Sequence, residues 1–443
     1  MISAGIFAPG FLETPYWWEA APPQAVTAQA DLPARVDVLV VGAGIAGLAT
    51  ALELGRNGVR ALVIDREPIG WGASSRNGGA LSGAGSLGRA KSDFQQAIDP
   101  ALLAEMVDEA EASFEAFEAL IVREGIDCAY RRCGRFVGAH AAKALDTLKR
   151  RADMLNRSGR DTAAILTRDR LAEEIATDRY HGGLVIQRAG GLDPALYTRG
   201  LAAAAQRHGA ILASGIAFQG WARAGTRLIA RTDRGEITAG ALMIATNGYT
   251  GAATPWHRRR VVPVASYMIA TEPLSEARVR ALLPKLRVYG DTKKILYYFR
   301  PAPDFSRILF GGRASFRDEG PRHGGARLHR FLTHLLPDLA GIRITHAWKG
   351  NVAFAFDMLP HVGAQDGVHY ALGCNGSGVV TMTHLGSCAA RQILGGGNRS
   401  SAFARLPFPT MPFYAGRPWF MPAVGNWYRL RDWLDGWRVT PPA

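Results

Sequence analysis

The stretch "VVGAGIAGLATALELGRNGVRALVIDRE", residues 40–67, decides the reading of this chain. It completes the β-branched run "VDVLVV", 36–41, which has the continuous apolar character of a parallel strand buried on both faces. Gly42, Gly44 and Gly47 then spell G-x-G-x-x-G. Gly42 permits the tight turn, Gly44 lets the backbone approach a pyrophosphate, and Gly47 lets the helix pack close to the strand. Ile45 and Ala46 open that helix, whose free N–H groups and positive dipole end suit phosphate. Asn57-Gly58 stops the helix, and "RALVID", 60–65, is the next strand. Asp65 at its end can accept from ribose hydroxyls, with Arg66 beside it as a further contact. The glycines alone are a weak signal, but the complete βαβ unit predicts a dinucleotide site. An acid at Asp65 suits the ribose of NAD or FAD alike.

A second glycine- and serine-rich loop follows at once: "GWGASSRNGGALSG", 70–83. It is more than an NAD domain needs. Ser74, Ser75, Arg76, Asn77 and Gly78 are placed to contact a pyrophosphate and the edge of a flavin ring. Near the other end, "GCNGSG", 373–378, sets Cys374 between glycines just ahead of the helical run "VVTMTHLGSCAARQIL".

The bulk properties narrow the class. At 443 residues there is room for two or three domains with real cores. The net charge of +14, from 52 basic and 38 acidic residues, is spread along the chain. Its densest cluster is the short "WHRRRVV", 256–262, so a solvated basic surface is expected and nucleic acid is not an expected partner. Four cysteines are too few for a disulfide framework and fit a reducing, cytoplasmic setting. The N-terminal "MISAGIFAPGFLETPYWW" does not read as a signal peptide. Cys374, His384 and Cys388 lack a fourth ligand at a convincing spacing, and Cys128 and Cys133 are not C-x-x-C, so no metal is expected.

Along the rest of the chain, residues 1–34 read as an irregular aromatic leader. Helical periodicity covers 99–124 and 141–158. Asp193-Pro194 starts another helix that Gly209 ends, and a further one is expected at 325–339. Short strands are expected at 134–139, 211–217, 226–232 and 240–246. From 261 to 316 the chain is strand-rich, in the manner of antiparallel strands of a different domain.

The ordered set of the fingerprint, "GASSRNGG", "GGLDPALY", "ALMIATNGYT" and "DMLPHVGAQDGVHYALGCNGSGV" resembles the D-amino-acid-oxidase-type flavoproteins. That is the family of glycine oxidase and monomeric sarcosine oxidase, and within it the chain is similar to gamma-glutamylputrescine oxidoreductase-like enzymes. The resemblance spans about 30–400. It implies an α/β, Rossmann-type FAD-binding domain that is discontinuous, plus an α+β substrate domain with an antiparallel sheet. The implied division is a leader at 1–34, FAD-binding segments at 35–95, 190–260 and 346–398, substrate segments at 96–189 and 261–345, and a tail at 399–443. The implied chemistry is oxidation of a C–N bond in an amine or amino acid by hydride transfer to flavin N5. The imine product then hydrolyses, and O2 or another acceptor takes the electrons.

By the same resemblance Ile216 passes near the adenine, and Thr246, Asn247 and Gly248 follow the strand returning to the FAD domain. "DMLPHVG", 357–363, lies near the flavin ring. Gly376, Ser377, Gly378 and Val379, with Val380, bring a helix N-terminus to the charge that develops on reduced flavin. Sarcosine-oxidase-like members tether the flavin to a cysteine, but "HAWKGNVAFAFD", 346–357, has none, so non-covalent FAD is implied. Their substrate-binding lysine is replaced by Val379-Val380. The strand that carries their oxygen-activating lysine offers Leu309, Phe310 and Arg313 here.

For the substrate, Arg300 matches a carboxylate-binding arginine strand, and Tyr298, Tyr267 and Trp348 are expected as pocket residues, with Tyr297 and Phe354 as further walls. In the tail, Trp427, Leu430, Arg431 and Leu434 fall at helical spacing. Packing on the protein's own body is the commoner use of such a stripe, and peripheral membrane contact is the alternative. Two other functional classes are the alternatives to amine oxidation: a basic, tRNA-modifying flavoenzyme and a flavin-binding protein without catalysis.

Overall fold

The structure is a computed structural model describing residues 4–26, 32–84, 98–157, 162–313, 319–397 and 401–437. The strand Arg35–Val41 pairs in parallel with Ala61–Asp65, which pairs in parallel with Ile211–Ser214. On its other side Gly235–Ile244 runs parallel to it. That long strand meets two neighbours on its far edge: antiparallel Arg227–Thr232 at its start and parallel Val368–Leu372 at its end. Val38, Val40 and Val63 share a core with the helices Ile45–Arg56, Pro194–Arg207 and Gly378–Arg391. Leu39, Val41, Leu62 and Ile64 pack on the opposite face with Leu228, Ile237 and Phe408. Burial on both faces is why "VDVLVV" carries no polar alternation after Asp37.

Among the described residues a second sheet holds nine strands, in the order Phe7–Leu12, Ile344–Phe354, Val262–Thr271, Ile308–Gly312, Tyr297–Pro301, Val288–Asp291, Arg135–Gly138, Gly183–Ile186 and Ala163–Leu166. Its centre is antiparallel, as expected. Two junctions are parallel: Phe7–Leu12 with Ile344–Phe354, and Val288–Asp291 with Arg135–Gly138. One face packs Tyr267, Tyr297, Phe299 and Phe310 on Leu328 and Leu332 of the helix Pro321–Leu335. The opposite face, with Met268, Leu309 and Trp348, packs on Trp17.

Asp99, Asp193 and Ser275 cap their helices by accepting from backbone N–H groups in the first turn. The leader departs from the irregular reading. It supplies the edge strand Phe7–Leu12 and the fully buried Trp17. The strand Phe218–Ala224, not expected from the sequence, pairs with Arg227–Thr232. The tail also departs. Trp427, Leu430 and Leu434 face outward from the helix Met421–Leu434, and the residues packed inward are Met421, Gly425 and Asp432.

Candidate cofactor and substrate site

Strand ends of the first sheet set the floor of an elongated slot. Gly42 leaves its strand at φ +108°, and a Cβ there would lie 2.8 Å from the Ala245 carbonyl oxygen. A Cβ on Gly47 would lie 2.0 Å from the Gly42 carbonyl oxygen, so this helix can seat only on glycine. Gly44 is the N-cap of the helix Ile45–Arg56 and has no side chain of its own to cap it. The Ile45 N–H donates to Ser74 Oγ at 3.0 Å, which brings the second glycine loop over the helix end. Asp65 accepts from the Ala43 N–H at 2.8 Å and the Glu67 N–H at 3.0 Å. Burial pushes its carboxyl above the ordinary range, and those two N–H groups pull it back.

Two cavities meet at Gly44, Ala73, Ser74, Ala245 and Asn247. The first half is lined by Gly42, Asp65, Arg66, Ile216, Thr246 and Tyr249. The second runs between the sheets, past Ile45, Ala46, Arg76, Asn77 and Gly78 to Gly376, Ser377, Gly378 and Val379. There the helix Gly378–Arg391 presents a second N-terminus without a side-chain cap. Two helix ends without an N-cap side-chain bond on one continuous slot fit a dinucleotide: phosphates at the first, an electron-rich ring edge at the second. Of the expected cofactor residues, Gly47, Ser75 and Gly248 are set back from the lining. Ser75 donates to the Gly70 carbonyl and accepts from Trp18 Nε1. Gly248 leaves space for the Asn351 carbonyl. The segment 357–363 is also outside the lining, where Asp357 accepts from the Leu359 N–H and bonds His361 at 3.0 Å.

Beyond the ring end, the lining is Arg135, Ser266, Leu296, Tyr298, Arg313, Val352 and Phe354. Tyr298 bonds Ser266 Oγ at 2.9 Å, and burial raises its phenol to about 12. The Arg313 guanidinium lies over the Phe354 ring at 4.4 Å, and burial lowers its pKa. Among the described residues no carboxylate pairs with Arg313. The described lining of this half contains no carboxylate, histidine or lysine.

Three of the residues expected around the substrate lie elsewhere. Arg300 is wedged between loops, donating to the carbonyls of Leu192 at 2.8 Å and Gly79 at 3.2 Å. Tyr267 faces the other side of its sheet, because strand alternation gives the cavity to Ser266; its hydroxyl bonds the Glu319 backbone. Trp348 donates from Nε1 to the Arg76 carbonyl at 2.8 Å, and Trp17 likewise to the Asn77 carbonyl at 2.9 Å. These tryptophans hold the second glycine loop in place. Tyr297 also turns into the far core, whereas Phe354 does line the cavity. Arg135, Ser266 and Leu296 were missed, since nothing local marks which strand residues meet across two sheets.

Cys374, His384 and Cys388 do not lie together. Cys374 lines the cavity, whereas His384 and Cys388 meet Glu109 from the helix Pro100–Arg123, with their ligand atoms within 4.8 Å. His384 Nε2 is 2.6 Å from Glu109 Oε1 and 3.4 Å from Cys388 Sγ. The Arg391 guanidinium donates to the same sulfur at 3.1 Å.

Comparison with known proteins agrees with this geometry. Residues 37–392 match the family model described as FAD dependent oxidoreductase (DAO). Gamma-glutamylputrescine oxidoreductase of Escherichia coli (strain K12) is 33% identical over 405 residues, 90% of this chain and 93% of that protein. The probable oxidoreductase OrdL of Rhizobium meliloti (strain 1021) is 29% identical, over 90% of this chain and 92% of its own. Among solved structures, glycine oxidase from Geobacillus kaustophilus superposes with a TM-score of 0.69 at 21% identity, covering 86% of this chain and 98% of that one. The slot, the fingerprint and these likenesses lead to one conclusion: the chain belongs to the DAO family of FAD-dependent oxidoreductases.

Proposed function

We propose that this protein oxidises a C–N bond in an amine or amino acid, with FAD held non-covalently, and that the substrate carries a carboxylate bound by Arg313. The observation that carries the reading is the pairing of Arg313 with Tyr298 in the same cavity as the uncapped helix end at Gly378. FAD, when bound, supplies the acceptor for the hydride leaving the amine carbon, and water then hydrolyses the imine.

The chain's own groups do the rest. Gly44, Ile45 and Ser74 would cradle the pyrophosphate, Asp65 the ribose, and the N–H groups around Gly378 the ring edge. The described lining of this half offers no carboxylate, histidine or lysine as a base, which fits a substrate amine that enters neutral. Tyr298, kept protonated by burial, can donate a hydrogen bond without competing for that proton. Phe354 and Val352 offer apolar walls that exclude water. The curated likeness to a gamma-glutamylputrescine oxidoreductase supports a substrate with an amine at one end and a carboxylate at the other.

The test is anaerobic mixing of the yellow holoenzyme with gamma-glutamyl amines, polyamines, N-methyl amino acids and D-amino acids. Bleaching by a carboxylate-bearing amine is expected, and acid precipitation should leave a colourless pellet. Arg313→Ala should lower kcat/KM for that substrate about 10- to 100-fold, while a matched amine without the carboxylate is little affected. Equal loss on both would remove the anchoring role.

A further inference from the structure

The exposed large apolar side chains are unevenly distributed. Leu12, Val122, Ile211 and Leu394 are scattered, whereas Phe413, Trp419, Trp427, Leu430, Trp433 and Leu434 crowd into the last described segment. Phe413 is 96% exposed, Trp427 52% and Leu434 61%. At the α-helical advance of about 100° per residue, Trp427, Leu434, Leu430 and Trp433 form one arc of about 120° on the helix Met421–Leu434, with exposed Asn426 beside Trp433 as its polar member. Arg431 borders one edge of that arc and Arg429 the other, with the Arg431 guanidinium 5.7 Å from the Trp427 ring.

The opposite side fixes the helix to the body. Asp432 accepts from the backbone N–H groups of Lys294 at 2.9 Å and Ile295 at 3.0 Å. Just past the helix, Trp437 stacks on Tyr180 with ring centroids 5.8 Å apart, and Lys293 Nζ lies 4.0 Å from its ring. The aromatic arc is therefore held outward by a buried polar anchor. Tyr428, next to Asp432 on the body-facing side of the helix, acts on the charge of Arg313, which puts the helix near the substrate end of the cavity.

We infer that this helix is a docking face for the surface of an anionic lipid bilayer, lying in the interface plane. An apolar arc of tryptophan and leucine with arginine on both edges matches the layering of such a surface, acyl chains below and charged headgroups beside. Charge selects this occupant over a second copy of the chain. Two copies, each at +14, would bring like-charged arginine edges together, whereas anionic headgroups complement them. Crossing the bilayer is not required, and among the described residues no helix is long and apolar enough to do so. Docking here would set this helix between the bilayer and the substrate end of the cavity.

The experiment is co-sedimentation of the full-length holoenzyme with vesicles of phosphatidylcholine alone or mixed with phosphatidylglycerol. Partitioning at least about tenfold stronger to the anionic vesicles, and weakened by added salt, is expected. The double variant Trp427→Glu, Leu434→Glu should lose that binding while keeping its flavin and melting temperature, since both side chains are exposed. Failure of the wild type to sediment with anionic vesicles, or undiminished binding by the double variant, would overturn the inference. So would a dimer in analytical ultracentrifugation that the double variant converts to monomer, because the arc would then be an interface between copies.

Discussion

Two glycine-rich turns, 42–47 and 373–378, leave the C-terminal ends of strands in the same sheet, and each opens a helix whose N-terminus faces the slot. The two helices touch closely: Thr50 Oγ1 donates to the Gly386 carbonyl at 2.9 Å, and a Cβ on Gly386 would lie 2.4 Å from the Ala46 carbonyl oxygen. Yet the turns are built on different physics. The first is a steric fit, with backbone atoms filling the space a side chain would take at Gly42 and Gly47. The second is tied by side chains. Asn247 Oδ1 accepts from the Gly373 N–H at 3.0 Å, and Asn375 bridges the Ala355 N–H to the Gly373 carbonyl. Gly376 is needed there for its φ of +85°, since a Cβ would meet nothing closer than Val352 Cγ1 at 3.8 Å. Crowding leaves a strict sequence pattern, whereas a turn tied from distant segments leaves only a composition.

That contrast can be broken by substitution. The largest effect is expected at the first turn. Gly47→Ala should destabilise the fold by about 3 kcal/mol or more and lose flavin, because a rigid carbonyl blocks the new methyl. Gly44→Val, which drives into Ser74 Oγ and the slot, should lose flavin with less effect on the apoprotein. Denaturant midpoints and the flavin-to-protein absorbance ratio separate the two. Normal flavin content in Gly44→Val would break the steric account.

The second helix carries a pH-dependent lock. Burial opposes charge on His384, but hydrogen bonds to Cys388 and Glu109 outweigh it and raise the imidazole to about 9. Its folded pKa lies above the ~6.5 of a free histidine, so its stabilisation is complete below ~6.5 and lost as pH rises through about 9. Urea midpoints should fall across that window, and His384→Gln should flatten the fall. A parallel slope in the variant would assign the dependence to other groups. The smallest effect belongs to Gly376→Ala, where backbone strain alone should cost about 1 kcal/mol with flavin retained. A loss as large as that of Gly47→Ala would erase the distinction between the turns.

Much of the FAD half was legible because it is local. Asp65 lies within one βαβ unit of Gly42, so spacing along the chain fixes spacing in space. Membership of the family was legible from the order of several such segments. Arg300, Tyr267 and Trp348 were misplaced for a different reason. Which face a strand residue serves depends on register between sheets, and a shift of one position exchanges Tyr267 for Ser266. Arg300 stands on the same alternation as Tyr298, yet Gly79 and Gly191 leave a slot that draws its guanidinium out of the cavity.

The sequence by itself determined the βαβ unit, the glycine cradle and the acid at the strand end, since each depends on residues a few positions apart. Only the tertiary structure decided that Arg313 and Tyr298 share the cavity with the helix end at Gly378, that Trp17 and Trp348 brace the second loop, and that Asp432 turns the aromatic arc of the tail outward. Those juxtapositions join segments far apart in the chain, and packing and sheet register, rather than local propensity, set them.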